Sequence, residues 1–339
     1  MEHYIGMDAH SKTCMFVVVN GRGQETRAQR INTGETEILK FIRSLKGKKH
    51  LTFEESTFAR WLHVLIKDEV DELVVCNPLF LNRRTGPKND YLDGLHLAQQ
   101  LRGGFLTPVF HDDSFLSDLR KVVTSYENLV TDGIRAKNRY KALFAARGLS
   151  THGRKIYYGV GKPIELLDPT SQFVARRLLD QVQYCEDMKN EYMTVFKKNV
   201  EENKQIKLLT TLPSISAVRA NIIAAAVVDP KRFPNKYKFW SYCMLVKHDK
   251  LSDGKSYGKV TVFGKKILKW VYMSAAMNAI QDEGPSKDFY DDQIAKGVSP
   301  KAAKRNLARK YAAATIAIMK TGKPYQEKRL LENIDKDKN

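Results

Sequence analysis

The order of apolar runs in the first 110 residues strongly restricts how this part of the chain can fold. Residues 3–10 and 12–20 are rich in β-branched and aromatic side chains, which favours two strands of a β-hairpin. Residues 25–32 follow a GRGQ turn and can form a third strand. The apolar residues of 37–46 then change to the three-to-four spacing of an amphipathic helix.

Strands and helices alternate after this point. The segment 51–54 is predicted as a strand, 59–70 as a helix, 72–78 as a strand and 87–101 as a helix, and 105–110 as a short extended piece. Three antiparallel strands followed by such alternation indicate an α/β unit of RNase H-like order that ends near His111.

The remaining chain is predicted to be mostly helical. Long amphipathic helices are expected at 113–147 and 171–205, and shorter helices after Ile206. We therefore divide the chain into an α/β domain, a helical coiled-coil segment, a C-terminal domain and a polar tail, with the bounds 1–111, 112–205, 206–328 and 329–339.

The two long helices leave two interpretations open. They can pack on each other as a helical hairpin within one chain, or they can form a coiled coil with a second copy. Because their apolar stripe is narrow, we favour dimerisation through this segment.

The charge of the chain points to a polyanionic partner. Its 339 residues carry a formal net charge of +19, which favours nucleic acid as the partner. The four cysteines form no CxxC pair, so neither a zinc site nor a disulfide framework is expected. This pattern is typical of a protein in a reducing compartment. Neither a long apolar run nor a signal peptide is evident, which argues against a membrane location.

Four acidic residues occupy positions where they could hold metal ions. Asp8 and Glu54 end predicted strands, and Asp90 and Asp93 lie at positions i and i+3 of a predicted helix. Carboxylates arranged in this way can bind two magnesium ions for phosphodiester chemistry. Glu55 competes with Glu54, but the two point to opposite faces of an extended strand, so only one can serve.

A Gly/Lys-rich stretch, LSDGKSYGK, is predicted to be a small, flexible and basic loop around Ser252. A serine there could attack a phosphodiester, or it could only donate a hydrogen bond to a phosphate. Composition alone favours the hydrogen-bonding role and does not separate Ser252 from Ser256. The lysines expected to neutralise nucleic-acid phosphates are Lys255, Lys259, Lys265 and Lys266.

Taken together, the motifs resemble a transposase of insertion-sequence family 110, the group that includes the Piv DNA invertases. They comprise YIGMDAHSK, FEEST, KNDYLDGLHLA and LLTTLPSIS, followed by FWSYCMLV, SDG and LKWVYMSAAM. Their order and spacing fit over nearly the whole chain.

The resemblance implies a RuvC-like domain whose DEDD acids map onto Asp8, Glu54, Asp90 and Asp93. It implies a C-terminal transposase domain whose nucleophilic serine maps onto Ser252, and this reverses the preference drawn from composition. Magnesium, or manganese, is the implied cofactor. The implied partners are DNA, a structured bridge RNA and further copies of the chain, as a homodimer or a dimer of dimers. The implied location is the nucleoid in a prokaryotic cytoplasm.

The sequence therefore predicts DNA strand exchange through a phosphoserine intermediate. Two alternatives are a RuvC-like structure-specific endonuclease that uses metal-activated water and a decayed transposase that only binds nucleic acid. One departure bears on the choice, because Asp253 separates Ser252 from Gly254 where the resembled family has Ser-Gly directly. A carboxylate there would repel a phosphate unless it bound metal or turned away.

Overall fold

The computed structural model describes residues 1–81, 89–149, 151, 153, 155–158 and 164–327. The polar tail predicted at 329–339, residue 328 and the predicted start of a helix at 87–88 lie outside these residues. The chain divides into two compact units, Met1–Asp113 and Ser114–Asn339.

The first unit is built on a five-stranded sheet of order β3-β2-β1-β4-β5. The strands are β1 (Glu2–Ala9), β2 (Thr13–Asn20), β3 (Glu25–Asn32), β4 (Lys48–Glu54) and β5 (Glu72–Cys76). The first three strands pair antiparallel, and β4 and β5 continue the sheet parallel to β1. This is the predicted α/β architecture, and it is confirmed.

One face of the sheet is covered by two helices, α1 (Glu35–Arg43) and α2 (Ala59–Ile66). Alternate residues of each strand point to this face and are buried there. From the central strands the buried residues are Ile5, Met7, Leu51 and Phe53. Burial of such side chains supplies most of the favourable free energy of this unit.

The opposite face is covered by α3 (Asp90–Arg102), which approaches β1 unusually closely at two glycines. A Cβ atom added to Gly6 would lie 2.0 Å from the carbonyl oxygen of Gly94 and 2.6 Å from the amide nitrogen of Ala98. Both are backbone atoms that cannot rotate away, so only glycine fits at residue 6. This contact places the first turn of α3 beside the carboxyl end of β1.

The second unit begins with two long helices, α4 (Phe115–Ala145) and α5 (Pro169–Glu202), which pack along each other. Residues from both helices interact across the contact, as in the 2.7 Å ion pair between Lys137 and Glu186. The alternative of a helical hairpin within one chain is confirmed. The narrow apolar stripe of α4 packs on α5 of the same chain, so it does not require a second copy. Dimerisation stays a prediction.

The rest of this unit is a helical domain with one β-hairpin. Its elements are α6 (Lys204–Leu209), α7 (Ala217–Val227), α8 (Lys236–Tyr242), β6 (Lys247–Ser252), β7 (Lys255–Thr261), α9 (Lys266–Ala279), α10 (Pro285–Ala295) and α11 (Pro300–Thr321). In the described residues no helix combines the length and the apolar character needed to cross a bilayer.

Two features of this domain differ from the expectation. The segment predicted as a flexible loop forms the β6–β7 hairpin, so that prediction was wrong. Helix α10 was not predicted, although its limits carry a signal: Pro285 occupies the first turn and Gly297 follows the end. Its weakly periodic apolar residues explain why the pattern was missed.

The glycine contact predicts that Gly6→Ala destabilises the first unit by about 3 kcal/mol, because the added methyl group overlaps backbone atoms of α3. The measurement is hydrogen exchange in peptides covering β1 and α3 across a urea series. Gly21→Ala is the matched control, since a Cβ there meets nothing within 4 Å. Equal protection in the two variants would contradict the proposed role of the contact.

The α4–α5 contact predicts a second, pH-dependent effect on stability. Hydrogen bonds from Lys137 and Lys189 lower the pKa of Glu186 from 4.5 to about 2. A carboxyl with a lowered folded pKa stabilises the protein above pH 4.5, and this contribution is lost as pH falls from 4.5 to about 2. Because Glu186 is partly exposed, we expect a contribution of only about 1 kcal/mol.

Urea unfolding of the wild type and Glu186→Gln tests this expectation. The wild type should be the more stable at pH 7, and the difference should shrink towards zero at pH 2. A difference that is constant over this range would show that the two lysines do not act through the Glu186 charge.

Candidate active site

The register of the sheet brings two of the predicted acids to one edge. Strands β1 and β4 run parallel, with Met7 opposite Phe53, so Asp8 and Glu54 are the next residues on neighbouring strands. Met7 and Phe53 point into the core under α1 and α2. Asp8 and Glu54 therefore point to the opposite face, the one that α3 covers.

The other two acids lie in the first turn of α3, whose N-cap is Asn89. The side chain of Asn89 accepts a hydrogen bond from the amide of Tyr91, which fixes the start of the helix. Asp90 and Asp93 then lie at the positive end of the helix dipole, where carboxylates are favoured.

These acids act on one another electrostatically. Burial raises the pKa of the Asp8 carboxyl, and the negative charges of Asp90 and Asp93 raise it further, while His10 opposes the shift. Like charges held this close to a half-buried carboxyl create a demand for a cation. The structure thus brings Asp8, Asp90 and Asp93 close enough to interact electrostatically, and Glu54 lies at the end of the strand next to that of Asp8.

Two basic residues that sequence analysis missed complete this cluster. His10 Nε2 lies 3.2 Å from Asp8 Oδ2 and 3.7 Å from Asp90 Oδ1, and Arg30 Nη1 lies 2.8 Å from Asp90 Oδ2. The signal for Arg30 is in the sheet register, because Asp8 pairs with Met15 and Met15 pairs with Arg30. Directly paired residues share a face, so Arg30 lies on the acidic side of the sheet.

The donor atoms of this cluster fit a divalent cation. One ligand atom each from Asp8, His10 and Asp90 lie within 4.8 Å of one another. Carboxylate oxygens are preferred by Mg²⁺ and Mn²⁺, and imidazole nitrogen is compatible with transition metals. A bound cation would also offset the mutual repulsion of the acids.

Glu55, the competitor of Glu54, is engaged elsewhere. Its carboxylate lies 2.6 Å from Nε2 of His111, and its amide donates to the carbonyl of Cys76. The His111 ring in turn stacks on His63, with 5.2 Å between the ring centroids. Glu54 is therefore the residue in register beside Asp8.

The second predicted site, around Ser252, lies on the β6–β7 hairpin. Asp253 and Gly254 form its two-residue turn with φ angles of 49° and 71°. Positive φ at both positions is typical of a type I′ turn, for which Asp-Gly is a preferred sequence. The Asp-Gly pair was the signal for a hairpin, and it gives Asp253 a structural role as a turn residue.

The hairpin separates the two candidate serines. Ser252 pairs with Lys255, and the next pair along the ladder is Leu251 with Ser256. Because successive pairs point to opposite faces, Ser252 shares a face with Lys255 and not with Ser256. Among the described residues, none forms a hydrogen bond to the Ser252 hydroxyl, which lies on an exposed strand.

The predicted phosphate-binding lysines are grouped around this hairpin. Lys255 and Lys259 lie on β7, and Lys265 and Lys266 lie at the start of α9. Lys259 has a carboxylate nearby, that of Asp249 at 4.0 Å. Two of the lysines therefore lie on the hairpin that presents Ser252, and the other two follow it in the chain.

Comparison with known proteins identifies transposase families over the two parts of the chain that carry these candidate sites. The family model DEDD_Tnp_IS110, described as a transposase, matches residues 5–146, which include the four acids. The model of the transposase IS116/IS110/IS902 family matches residues 206–291, which include Ser252. No curated protein matches the chain.

The α/β sheet with its acidic edge, the basic hairpin and these matches define a DNA transposase, an enzyme that recombines DNA. The two models together span about two thirds of the chain. The chain belongs to the IS110 family of transposases. Membership implies a DNA substrate and indicates dependence on a divalent metal, for which the acidic cluster is suited.

The cluster geometry predicts that Asp8→Asn and Asp90→Asn weaken Mn²⁺ binding on the order of tenfold or more, because each removes a charged oxygen ligand. Calorimetric titration with Mn²⁺ at pH 7 measures this. Glu55→Gln is the control, since the Glu55 carboxylate pairs with His111. The affinity of this variant for Mn²⁺ should change less than about twofold. Equal losses in all three variants would remove the cluster as the metal site.

Proposed function

We propose that this protein cuts and rejoins DNA through a phosphoserine intermediate at Ser252, with Mg²⁺ or Mn²⁺ held by Asp8, Glu54, Asp90 and Asp93. The observation that carries the proposal is the position of Ser252 at the end of a basic hairpin. It shares a face with Lys255 there, in the segment that matches the transposase family.

Each part of the proposed site has a defined task. The four acids would hold the cation, and the ligand atoms of Asp8 and Asp90 already lie within 4.8 Å of each other. The bound cation would supply electrophilic activation of the scissile phosphate. Lys255, Lys259, Lys265 and Lys266 would neutralise phosphates on either side of the reacting one.

The proposed reaction conserves the energy of the phosphodiester bond. Ser252 Oγ attacks phosphorus and forms an Oγ–P bond, and the bond to the 3′-oxygen of the leaving strand breaks. The proton lost by the serine hydroxyl ends on that 3′-oxygen. A 3′-hydroxyl from another strand then attacks the phosphoserine, restores a P–O bond to DNA and returns a proton to Ser252.

A structured RNA is the second nucleic acid that we propose as a partner. The resemblance to the family implies a bridge RNA that pairs with target and donor DNA. The net charge of +19 supports it, since such a surplus suits a protein that binds two polyanions. Target choice would then depend on base pairing between this RNA and the DNA. The protein would act at the nucleoid of a prokaryotic cell.

A dimer, or a dimer of dimers, is supported by an apolar stripe on α5 that its own chain leaves exposed. Phe173, Tyr184 and Val195 are all exposed and recur at intervals of eleven residues. Eleven residues make three helical turns, so these side chains line one face and could pack on a second copy. The coiled-coil segment predicted at 112–205 would hold that dimer together.

A second candidate is a RuvC-like endonuclease that uses metal-activated water. It is favoured by the preassembled acidic cluster, and by the lack of a described side chain bound to the Ser252 hydroxyl as a general base. A decayed transposase would bind nucleic acid and cleave nothing.

The phosphoserine proposal predicts a covalent protein–DNA adduct. Purified protein, its flanking non-coding RNA and DNA carrying the element's ends would be incubated with Mg²⁺ and analysed on a denaturing gel. We expect the adduct to be lost in Ser252→Ala because the attacking oxygen is removed, and in Asp90→Asn because metal binding fails.

Ser256→Ala is the matched control, because Ser256 lies on the same hairpin but on its other face. It should retain the adduct. Cleavage that persists in Ser252→Ala without an adduct would favour the endonuclease, and binding without any cleavage would favour the decayed protein.

A further inference from the structure

A cavity lined by cations lies at the base of the serine hairpin. It has a volume of about 270 Å³ and is bounded by the turn between α8 and β6, by β7, and by α9 and α11. Its charged lining consists of Lys247, Lys259, Lys269, Arg305 and Arg309. Carboxylates are missing from this lining, as far as the described residues show.

Arg309 is fixed in place at the wall of this cavity. Its Nε donates to the carbonyl of Leu245 at 3.0 Å, and its Nη1 donates to Oδ1 of Asn306 at 3.2 Å. The guanidinium also lies over the Trp240 ring, 5.9 Å from its centroid. These bonds use two of the five N–H groups of an arginine, so three remain for a ligand.

The charge of this cavity is only partly balanced by carboxylates of the described residues. Burial and the neighbouring charge of Arg305 lower the pKa of Arg309, which shows that the charged form is disfavoured where it stands. The partners of Arg309 are neutral oxygens, and the carboxylate of Asp249 lies 4.0 Å from Lys259. Arg305 and Arg309 are partly buried and the three lysines are exposed, so an anion bound between them would offset the cost of the partly buried charges and attract the lysines.

The type of anion follows from the donors. Guanidinium groups match the oxygens of a phosphate through paired N–H donors, and lysines add charge without directional demand. A water molecule occupies about 30 Å³, so about 270 Å³ holds a phosphate group together with ordered water. An apolar ligand would leave the cations desolvated and unpaired.

The position of the cavity relates it to Ser252. Lys247 begins β6 and Ser252 ends it, so five residue steps of about 3.3 Å separate them, roughly 17 Å. Phosphates of one DNA strand rise by about 3.4 Å per nucleotide along the helix axis while they also wind around it, so two phosphates roughly 17 Å apart are separated by fewer than five nucleotides.

We propose that this cavity binds a backbone phosphate of the DNA strand a few nucleotides from the one presented to Ser252. It would anchor the strand and set its register on the hairpin. This anchor extends the proposed function, but it concerns binding and stands whether or not Ser252 is the nucleophile.

The test compares Lys269→Ala/Arg305→Ala with the wild type, both carrying Ser252→Ala. Binding of a 30-base-pair DNA duplex would be measured without divalent metal over a series of salt concentrations. One lost phosphate contact should lower the slope of log affinity against log salt by about 0.9, which is roughly an eightfold loss at 0.1 M salt. Inorganic pyrophosphate should raise the Tm of the parent and not of the variant.

The matched control is Lys207→Ala/Lys301→Ala, which removes the same charge from exposed sites outside the cavity lining. This control should change the slope less. Arg305→Lys keeps the charge and should therefore keep the salt slope of the parent. If the double variant is unstable, Lys269→Glu alone serves, because Lys269 is exposed on α9.

Losses equal to those of the control would overturn the proposal. A loss confined to a structured RNA probe would overturn the assignment to DNA. Failure to form the serine adduct would count against the proposed function, yet it would leave this binding result unchanged.

Discussion

The contact between Gly6 and Gly94 is the constraint on which the acidic site depends. Helix α3 can lie against β1 only because neither residue has a side chain at the crossing. Gly94 directly follows Asp93, and Gly6 precedes Asp8 by two residues. The contact therefore sets how far the first turn of the helix lies from the end of the strand, and with it the separation of the carboxylates.

The two units of the chain each contain a cluster of like charges, negative in the first unit and positive in the second. In the first, half-buried acids repel one another and are partly balanced by His10 and Arg30. In the second, lysines and arginines gather around a hairpin and a cavity with few carboxylates nearby. A cation suits the first site and phosphates suit the second, and phosphodiester chemistry requires both.

Much of the fold was predictable because it rests on local patterns. The succession of strands and helices along the chain, the acids at strand ends and the two long helices follow from apolar periodicity, which depends on side-chain chemistry alone. The hairpin around Ser252 was predictable from its Asp-Gly turn, but its strands are entirely exposed and lack apolar alternation. The same exposure made the segment look like a flexible loop.

By itself the sequence determined the class of protein, through motifs that resemble one transposase family. It also supplied the candidate residues: four acids at element ends and a serine among lysines. Only the tertiary structure decided which groups meet. It placed His10 and Arg30 with the acids, paired Glu55 with His111, and closed the long helices on each other. It also gathered cations from four segments into one cavity. The physical reason is that periodicity specifies which face a residue occupies, whereas distances between faces are set by packing at sites far apart in the chain.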